Sequence, residues 1–366
     1  MIQRALAVLP DEPEYALSRA ACLTRSSELG FYDYEPEPMI ADARAALRVL
    51  ATSPVASPVQ RIDALNALAF GYFVKNDLDE ADRAYAELMA TIEKIGRENT
   101  LAAAEALTNW GMVHSNADIV KAEPLWRRAL ELDRAISGPD EVTPIPLFNV
   151  GFALGALARY EEAERFYEEA VRNARARKDD RIRWGATMML ADLHTESGEL
   201  SRAAADLDKI PGEVRDRASF KYSRGILDLA IGDARSARGL LTESVQLAFT
   251  TGSSVEVYGL IALSRAEQSL GNTAAALTAA QEALAAAVTY APRGTPSHLT
   301  GRAEEQLGEA ELASGDFAAA RLDLCKAIEQ LDLSLGAGHP LATRALRVLD
   351  SIPSSPSAVR EAAAGP

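Results

Sequence analysis

The sequence predicts an all-α fold, a right-handed superhelical solenoid of about eight helical hairpins. Three observations carry this. Alanine is abundant and only 6% of the 366 residues are aromatic, while Val and Ile are comparatively sparse, a composition that favours helix. Small residues recur at fixed offsets from bulky ones. A turn residue, most often Gly, Asn or Asp, recurs at 76, 118, 158, 198, 232, 271 and 315, with gaps of 42, 40, 40, 34, 39 and 44.

The clearest copy of the unit is Leu147 to Ala174, LFNVGFALGALARYEEAERFYEEAVRNA. It reads as two amphipathic helices with a tight turn at Ala158–Arg159. Gly151 on the first helix and Ala163 and Ala170 on the second stand where the helices must touch. Leu147, Leu154, Tyr160 and Tyr167 surround them. Such a hairpin cannot bury its apolar face alone, so it needs neighbours on both sides.

Counting positions so that Gly151 is 8, the same grid runs along the chain. IQRALAVLP matches the end of a second helix, with Ala5 at 27 and Pro10 at 32. The chain is thus expected to begin inside a repeat, as the C-terminal part of a longer protein, because a half repeat leaves an apolar edge without a polar cap. A helix near Pro13–Leu29, a loop with Pro36 and Pro38, and a helix near Met39–Leu50 make the first full repeat. The second carries Ala69, Tyr72, Leu78, Ala81 and Tyr85. The third, one residue shorter in its turn, carries Gly111, His114, Ala122, Trp126 and Ala129. The fifth carries Ala191, His194, Gly198, Leu200, Ala203 and Leu207. Gly225, Gly232, Ala237 and Leu241 follow, then Ser264, Gly271, Ala276 and Ala283. Gly308, Gly315, Phe317, Ala320, Leu324 and Ala327 form the last clear copy. The turn residues suit a helix C-terminus that needs left-handed backbone. Leu341–Leu349 reads as a capping helix. The array is expected over 1–350, and the Ser- and Pro-rich 351–366 is expected to be disordered.

The chemistry of the sequence is sparse. A net charge of −15 argues against nucleic acid or an anionic membrane as the main partner. Cys22 and Cys325 fall at opposite ends of the array and are expected to be buried small residues in a reducing, cytoplasmic compartment. No apolar run is long enough to span a membrane, and the first residues lack the pattern of a secretory signal. His114 and His194 both fall at position 11, two repeats apart, too far to share a metal ion, and read as core histidines. His339 stands in LGAGHP, whose Gly-x-Gly has neither a preceding strand nor a third glycine. Glu161–Glu162 and Glu168–Glu169, with Arg165 and Arg172 four residues on, read as a solvated helix face. Arg172, Arg175, Arg177, Lys178, Arg181 and Arg183 are interrupted by Asp179 and Asp180 and read as a solvated loop. No catalytic constellation, metal site or cofactor site is expected.

The grid resembles the tetratricopeptide repeat (TPR) superfamily over roughly residues 1–350. The stretched repeats and the closing SLGAGHPLATRAL resemble the C-terminal TPR region of bacterial serine/threonine kinases, and also kinesin-light-chain-type TPR arrays. The resemblance implies that first helices line a concave groove, with positions 2, 5, 9, 12 and 13 turned towards it. Those positions hold Asn66, Phe70 and Phe73, then Met112, Ser115 and Asn116, then Phe148 and Phe152, Met188 and Asp192, and Tyr222, Ile226 and Leu229. The last two repeats place Arg265 and Gln268, then Arg302, Glu305 and Glu309, there. An apolar stripe rimmed by charge is how a protein or peptide site looks. Asn109 and Asn149 match the position-6 Asn that helps kinesin-light-chain arrays hold an extended peptide. The peptide-binding set expected is therefore Phe70, Phe73, Asn109, Met112, Phe148, Asn149, Phe152, Met188, Tyr222 and Ile226. The expected function is a non-enzymatic scaffold or regulatory module of bacterial signalling, with any kinase lying upstream of Met1. A small-ligand or signalling-peptide sensor and a structural oligomerisation array are the alternatives.

Overall fold

The computed structural model describes residues 8–9, 12, 15–33, 35–53, 56–138, 141–291 and 294–353. The expected half repeat before Pro10 and most of the expected disordered tail lie outside them. The described residues form seventeen α-helices and no strand. In chain order these are α1 (Ala16–Asp33), α2 (Pro36–Thr52), α3 (Pro58–Val74), α4 (Leu78–Lys94), α5 (Leu101–His114), α6 (Ile119–Ser137), α7 (Pro144–Ala156) and α8 (Tyr160–Arg177). They continue as α9 (Asp180–Glu196), α10 (Leu200–Asp208), α11 (Ala218–Ala230), α12 (Ala234–Thr251), α13 (Val255–Ser269), α14 (Thr273–Thr289), α15 (His298–Ser314), α16 (Phe317–Leu335) and α17 (Pro340–Ser351).

Each hairpin is held by a small residue facing a large one. A Cβ added to Gly151 on α7 would lie 2.9 Å from the Tyr167 ring of α8. Gly111 meets Trp126 in the same way, Gly225 meets Leu241, and Gly308 meets Leu324. The alanines of the second helices, Ala81, Ala122, Ala163, Ala203, Ala237, Ala276 and Ala320, are wholly buried. Two helix backbones can approach this closely only where one side offers no side chain.

The turns repeat one geometry. Asn76, Ala158, Gly198, Gly232, Gly271 and Gly315 have φ between 58° and 89°. The next residue's N–H then reaches back to the last turn of the first helix, as in Arg159 N to Leu154 O at 2.8 Å and Glu199 N to His194 O at 2.8 Å. This closes orphan carbonyls in a Schellman-type end. Position 118 departs from the expectation. Asp118 is not left-handed but caps α6, its Oδ1 accepting from Lys121 N at 3.1 Å. Here the first helix ends earlier, so four residues, 115–118, separate α5 from α6 against three at 75–77 and 157–159, and none of the four has positive φ.

Two further expectations are corrected. Pro36 and Pro38 open α2 rather than forming a loop, since a proline in the first turn gives up an N–H that has no partner there anyway. Cys325 is exposed and Cys22 only half-buried, with neither in a disulfide. Cys325 follows the buried Leu324 on α16, so the helix turns it outward. No helix among the described residues is long and apolar enough to cross a membrane.

The chain folds as two compact units. Unit 1 comprises Met1–His114 and Pro124–Val142, and unit 2 comprises Ser115–Glu123 and Thr143–Pro366. In unit 1 the core centres on Tyr85, Leu88 and Ile92. Trp126 Nε1 donates to Thr108 O at 2.9 Å, and Asp82 holds both Trp110 Nε1 at 2.7 Å and His114 Nε2 at 2.8 Å. In unit 2 the first helices α7, α9, α11, α13, α15 and α17 stand in succession, with α8, α10, α12, α14 and α16 packed behind them.

Glycine contacts predict opposite outcomes four residues apart. Gly151→Ala forces a Cβ into the Tyr167 ring and is expected to lower stability by about 1–3 kcal/mol. A Cβ at Gly155 would meet Ala163 and Tyr167 only at 3.9 Å. Gly155→Ala is expected to be neutral or to add about 0.4–1 kcal/mol. Urea melts of the two variants check this, and equal midpoints would contradict the hairpin geometry.

Candidate functional site

The interior of unit 2 is the candidate site, because polar groups gather there with little water around them. Unit 2 curls far enough for distant hairpins to touch. Ser297 Oγ donates to Asn116 O at 2.7 Å, and His298 N donates to Ala117 O at 3.3 Å. Glu196 at the end of α9 stands 3.7 Å from the Arg302 guanidinium at the start of α15. These ties narrow the face lined by the first helices.

One end of that face is apolar and amide-bearing. Phe148 stacks obliquely against Tyr167 with ring centroids 5.8 Å apart, and its edge lies against Gly185 of α9. Beside it, Asn149 Nδ2, Tyr167 Oη, Asp192 Oδ1 and Ser223 Oγ are buried without a hydrogen-bond partner. Unpaired buried groups of this kind are rare in folded proteins. Burial pushes the Asp192 carboxyl up to about 8, with Glu196 adding to the rise and the nearby Ser223 hydroxyl opposing it. Asp192 is therefore largely protonated near neutrality. Burial raises the Tyr167 hydroxyl further above the ordinary phenol value, with Asp192 and Glu196 contributing.

The middle is aromatic and the far end charged. Tyr222 and Tyr258 face each other at 6.2 Å, and Arg302 lies over the Tyr258 ring at 5.5 Å. Burial works against the Arg302 charge, but Glu196 and the two tyrosine hydroxyls outweigh it and hold the guanidinium firmly protonated. His298, 1% exposed, is driven down to about 3 by burial and by Arg302, and it stays neutral. Arg344 is clamped to Glu305 by two bonds of 2.6 Å.

The sequence-derived residues divide between the units. Phe70, Phe73, Asn109 and Met112 belong to unit 1, where Phe70 and Phe73 stack at 6.1 Å and Met112 is exposed. Phe148, Asn149, Phe152, Met188, Tyr222 and Ile226 belong to unit 2. Within it, Phe148, Asn149, Phe152 and Tyr222 are half-buried. Met188 is fully packed among Ala203, Leu207 and Phe220. Ile226 packs on the cluster of Ala237, Leu241, Ala262 and Ala266. Sequence reasoning passed over Tyr258, Glu196, Gln306 and Arg344. Tyr258 stands at position 2 of its repeat, a groove position that the same grid would have flagged.

Outside this face, a cleft of about 400 Å³ opens between α8, α9 and α10. Buried His194 sits there with Nδ1 2.8 Å from Asp206 and Nε2 3.3 Å from Glu164. Arg202 and Lys209 cover those carboxylates. Each group has a partner, so the cleft is internally satisfied. The described residues contain no cluster of His, Cys, Asp or Glu arranged for a metal ion.

Comparison with known proteins agrees with this architecture. Residues 103–176, which run from α5 into α8, match the family described as Tetratricopeptide repeat. A solved Rap protein complexed with Competence and Sporulation Factor is similar over 96% of this chain and 99% of its own, at 14% identity and a TM-score of 0.58. The apo form of RapI is similar over 94% and 99%, at 13% identity and a TM-score of 0.51. A tetratricopeptide repeat protein from Parabacteroides merdae aligns over 80% of this chain and all of its own, at 17% identity and a TM-score of 0.48. No curated protein matches the chain. At these identities the Rap structures speak for a shared fold.

The raised Asp192 carboxyl sets a pH dependence. Its folded value lies above the ordinary aspartate value of about 3.9, so the folded state binds the extra proton. The stability this contributes is complete below that value and is lost as pH rises through about 8. Thermal melts from pH 4 to 9 are expected to show a decline that Asp192→Asn flattens. An identical slope in both proteins would contradict the burial of this carboxyl.

Proposed function

We propose that this TPR-bearing chain is a non-enzymatic module that holds an extended peptide, or an extended segment of a partner protein, against the interior face of unit 2. The observation that carries this is the row of buried polar atoms without partners, Asn149 Nδ2, Tyr167 Oη and Asp192 Oδ1, beside the rings of Phe148 and Tyr167. A peptide backbone offers a donor and an acceptor at every residue. Laid along the first helices, it would satisfy those atoms while its side chains rest on Phe148 and Phe152.

A second reading is favoured by the ties across unit 2. A ligand reaching the interior would work against the bonds of Ser297 and His298 to the 116–117 carbonyls. Such a chain would sense a small ligand or a signalling peptide by parting them. The Rap protein solved with Competence and Sporulation Factor supports this reading, since the same fold holds a bound factor there. A role in bacterial signalling and a cytoplasmic location belong to the same proposal.

Selection of a random peptide library on the immobilised chain tests the site. Asn149→Ala, or Phe148→Ala with Phe152→Ala, is expected to weaken capture of selected peptides at least about fivefold while helicity stays unchanged. Undiminished capture by both variants would move the binding face elsewhere.

A further inference from the structure

We infer that the charged end of the unit 2 interior is an oxyanion site built on Arg265 and Arg302, which takes a carboxylate or phosphate carried by the bound segment. This rests on the peptide-binding reading above.

Arg265 lies on α13 and donates from Nε to Gln306 Oε1 at 2.8 Å. Gln306, on α15, is wholly buried. Its amide nitrogen donates to Ser264 Oγ at 3.0 Å and to Gln268 Oε1 at 3.2 Å. Both donors of that amide are thus used, and its oxygen is left to aim the guanidinium. A guanidinium has five N–H groups, and among the described residues only the Nε donor of Arg265 has a hydrogen-bond partner. Among the described residues no carboxylate reaches ion-pair distance of it.

Arg302 stands one helical turn before Gln306 on α15, and residues four apart share a face about 6 Å apart. Arg302 is also near enough for its charge to act against that of Arg265. Arg302 pairs with the half-exposed Glu196 at 3.7 Å and bonds to the Tyr258 hydroxyl, whose ring it covers, but it has no carboxylate gripping it through two bonds. Arg344 shows what a satisfied arginine looks like in the same neighbourhood, gripped at 2.6 Å twice by the fully buried Glu305. Glu305 and Glu309 attract Arg265 from a distance, while burial, Arg344 and Arg302 act against its charge. Burial also favours the protonated form of Glu309, which weakens the compensation it can give.

An enclosed guanidinium without a close carboxylate is unfavourable. Removing Arg265 would also leave the buried Gln306 oxygen without its donor, a cost separate from any bound anion. Two such groups side by side suit a planar carboxylate or a phosphate, which accept paired N–H donors.

Thermal melts of the full chain in sodium phosphate, sodium acetate and sodium chloride at matched ionic strength test the site directly. The wild type is expected to melt about 2–4 °C higher in phosphate or acetate than in chloride. Arg265→Met is expected to melt lower than the wild type in chloride, because the buried Gln306 oxygen loses its donor, and to lose the anion-specific rise. An equal rise in both proteins is general stabilisation by an anion excluded from the protein surface and overturns the site, as does no rise in the wild type. A second arm offers pooled random hexapeptides with free or amidated C-termini, and a pool carrying phosphoserine. Preference for free acids over amides, abolished in Arg265→Met, identifies a C-terminal carboxylate as the source. Preference for phosphoserine identifies a phosphorylated side chain. Anion-specific stabilisation with no peptide retained from any pool upholds the oxyanion site and contradicts the peptide reading.

Discussion

The close approach of a glycine or alanine on one helix to a bulky residue on the next governs this structure. Gly151 against Tyr167, Gly111 against Trp126, Gly225 against Leu241 and Gly308 against Leu324 are one contact repeated. It fixes which face of each first helix turns back towards its partner. The opposite face is then left for the interior. A Cβ at any of these glycines would push the helices apart and rotate the interior face out of register with its neighbours.

In unit 2 that register has a consequence. Successive first helices present Phe148 and Asn149, Asp192 and Glu196, Tyr222, Tyr258, then Arg302 and Gln306. Because the unit curls until Ser297 meets Asn116, these side chains lose water without gaining full protein partners. The charged end resolves this partly, through the Arg344–Glu305 pair. The apolar end does not, and its asparagine, tyrosine and aspartate keep unused hydrogen-bonding capacity.

Much of this was legible in the sequence, for a physical reason. Hairpin packing depends on residue size at fixed offsets, so Gly151, Ala163 and Tyr167 announce their contact in the sequence itself. The left-handed turns at Asn76, Ala158 and Gly315 follow from the same grid. The turn at Asp118 departs from the grid because α5 ends early, at His114, and Asp118 falls at the N-cap of α6 after a longer linker. The interior was legible only in part. Phe148, Asn149 and Tyr222 stand on the interior face that their positions imply, but Met188 lies in the core with Leu207 and Phe220. The pairing of Glu196 with Arg302, or of Arg265 with Gln306, depends on how far unit 2 curls, and no local pattern encodes that curvature.

The central claim is that the interior face of unit 2 receives the partner. Photocrosslinking tests it most directly, with p-benzoylphenylalanine placed at Phe152 or, separately, at Phe249, which is 71% exposed on the second helix α12. Irradiation of the chain in the cells that make it is expected to give a discrete adduct from position 152 and none from position 249. Adducts from 249 with none from 152 would show that the partner binds the outside of the array, and would contradict the claim.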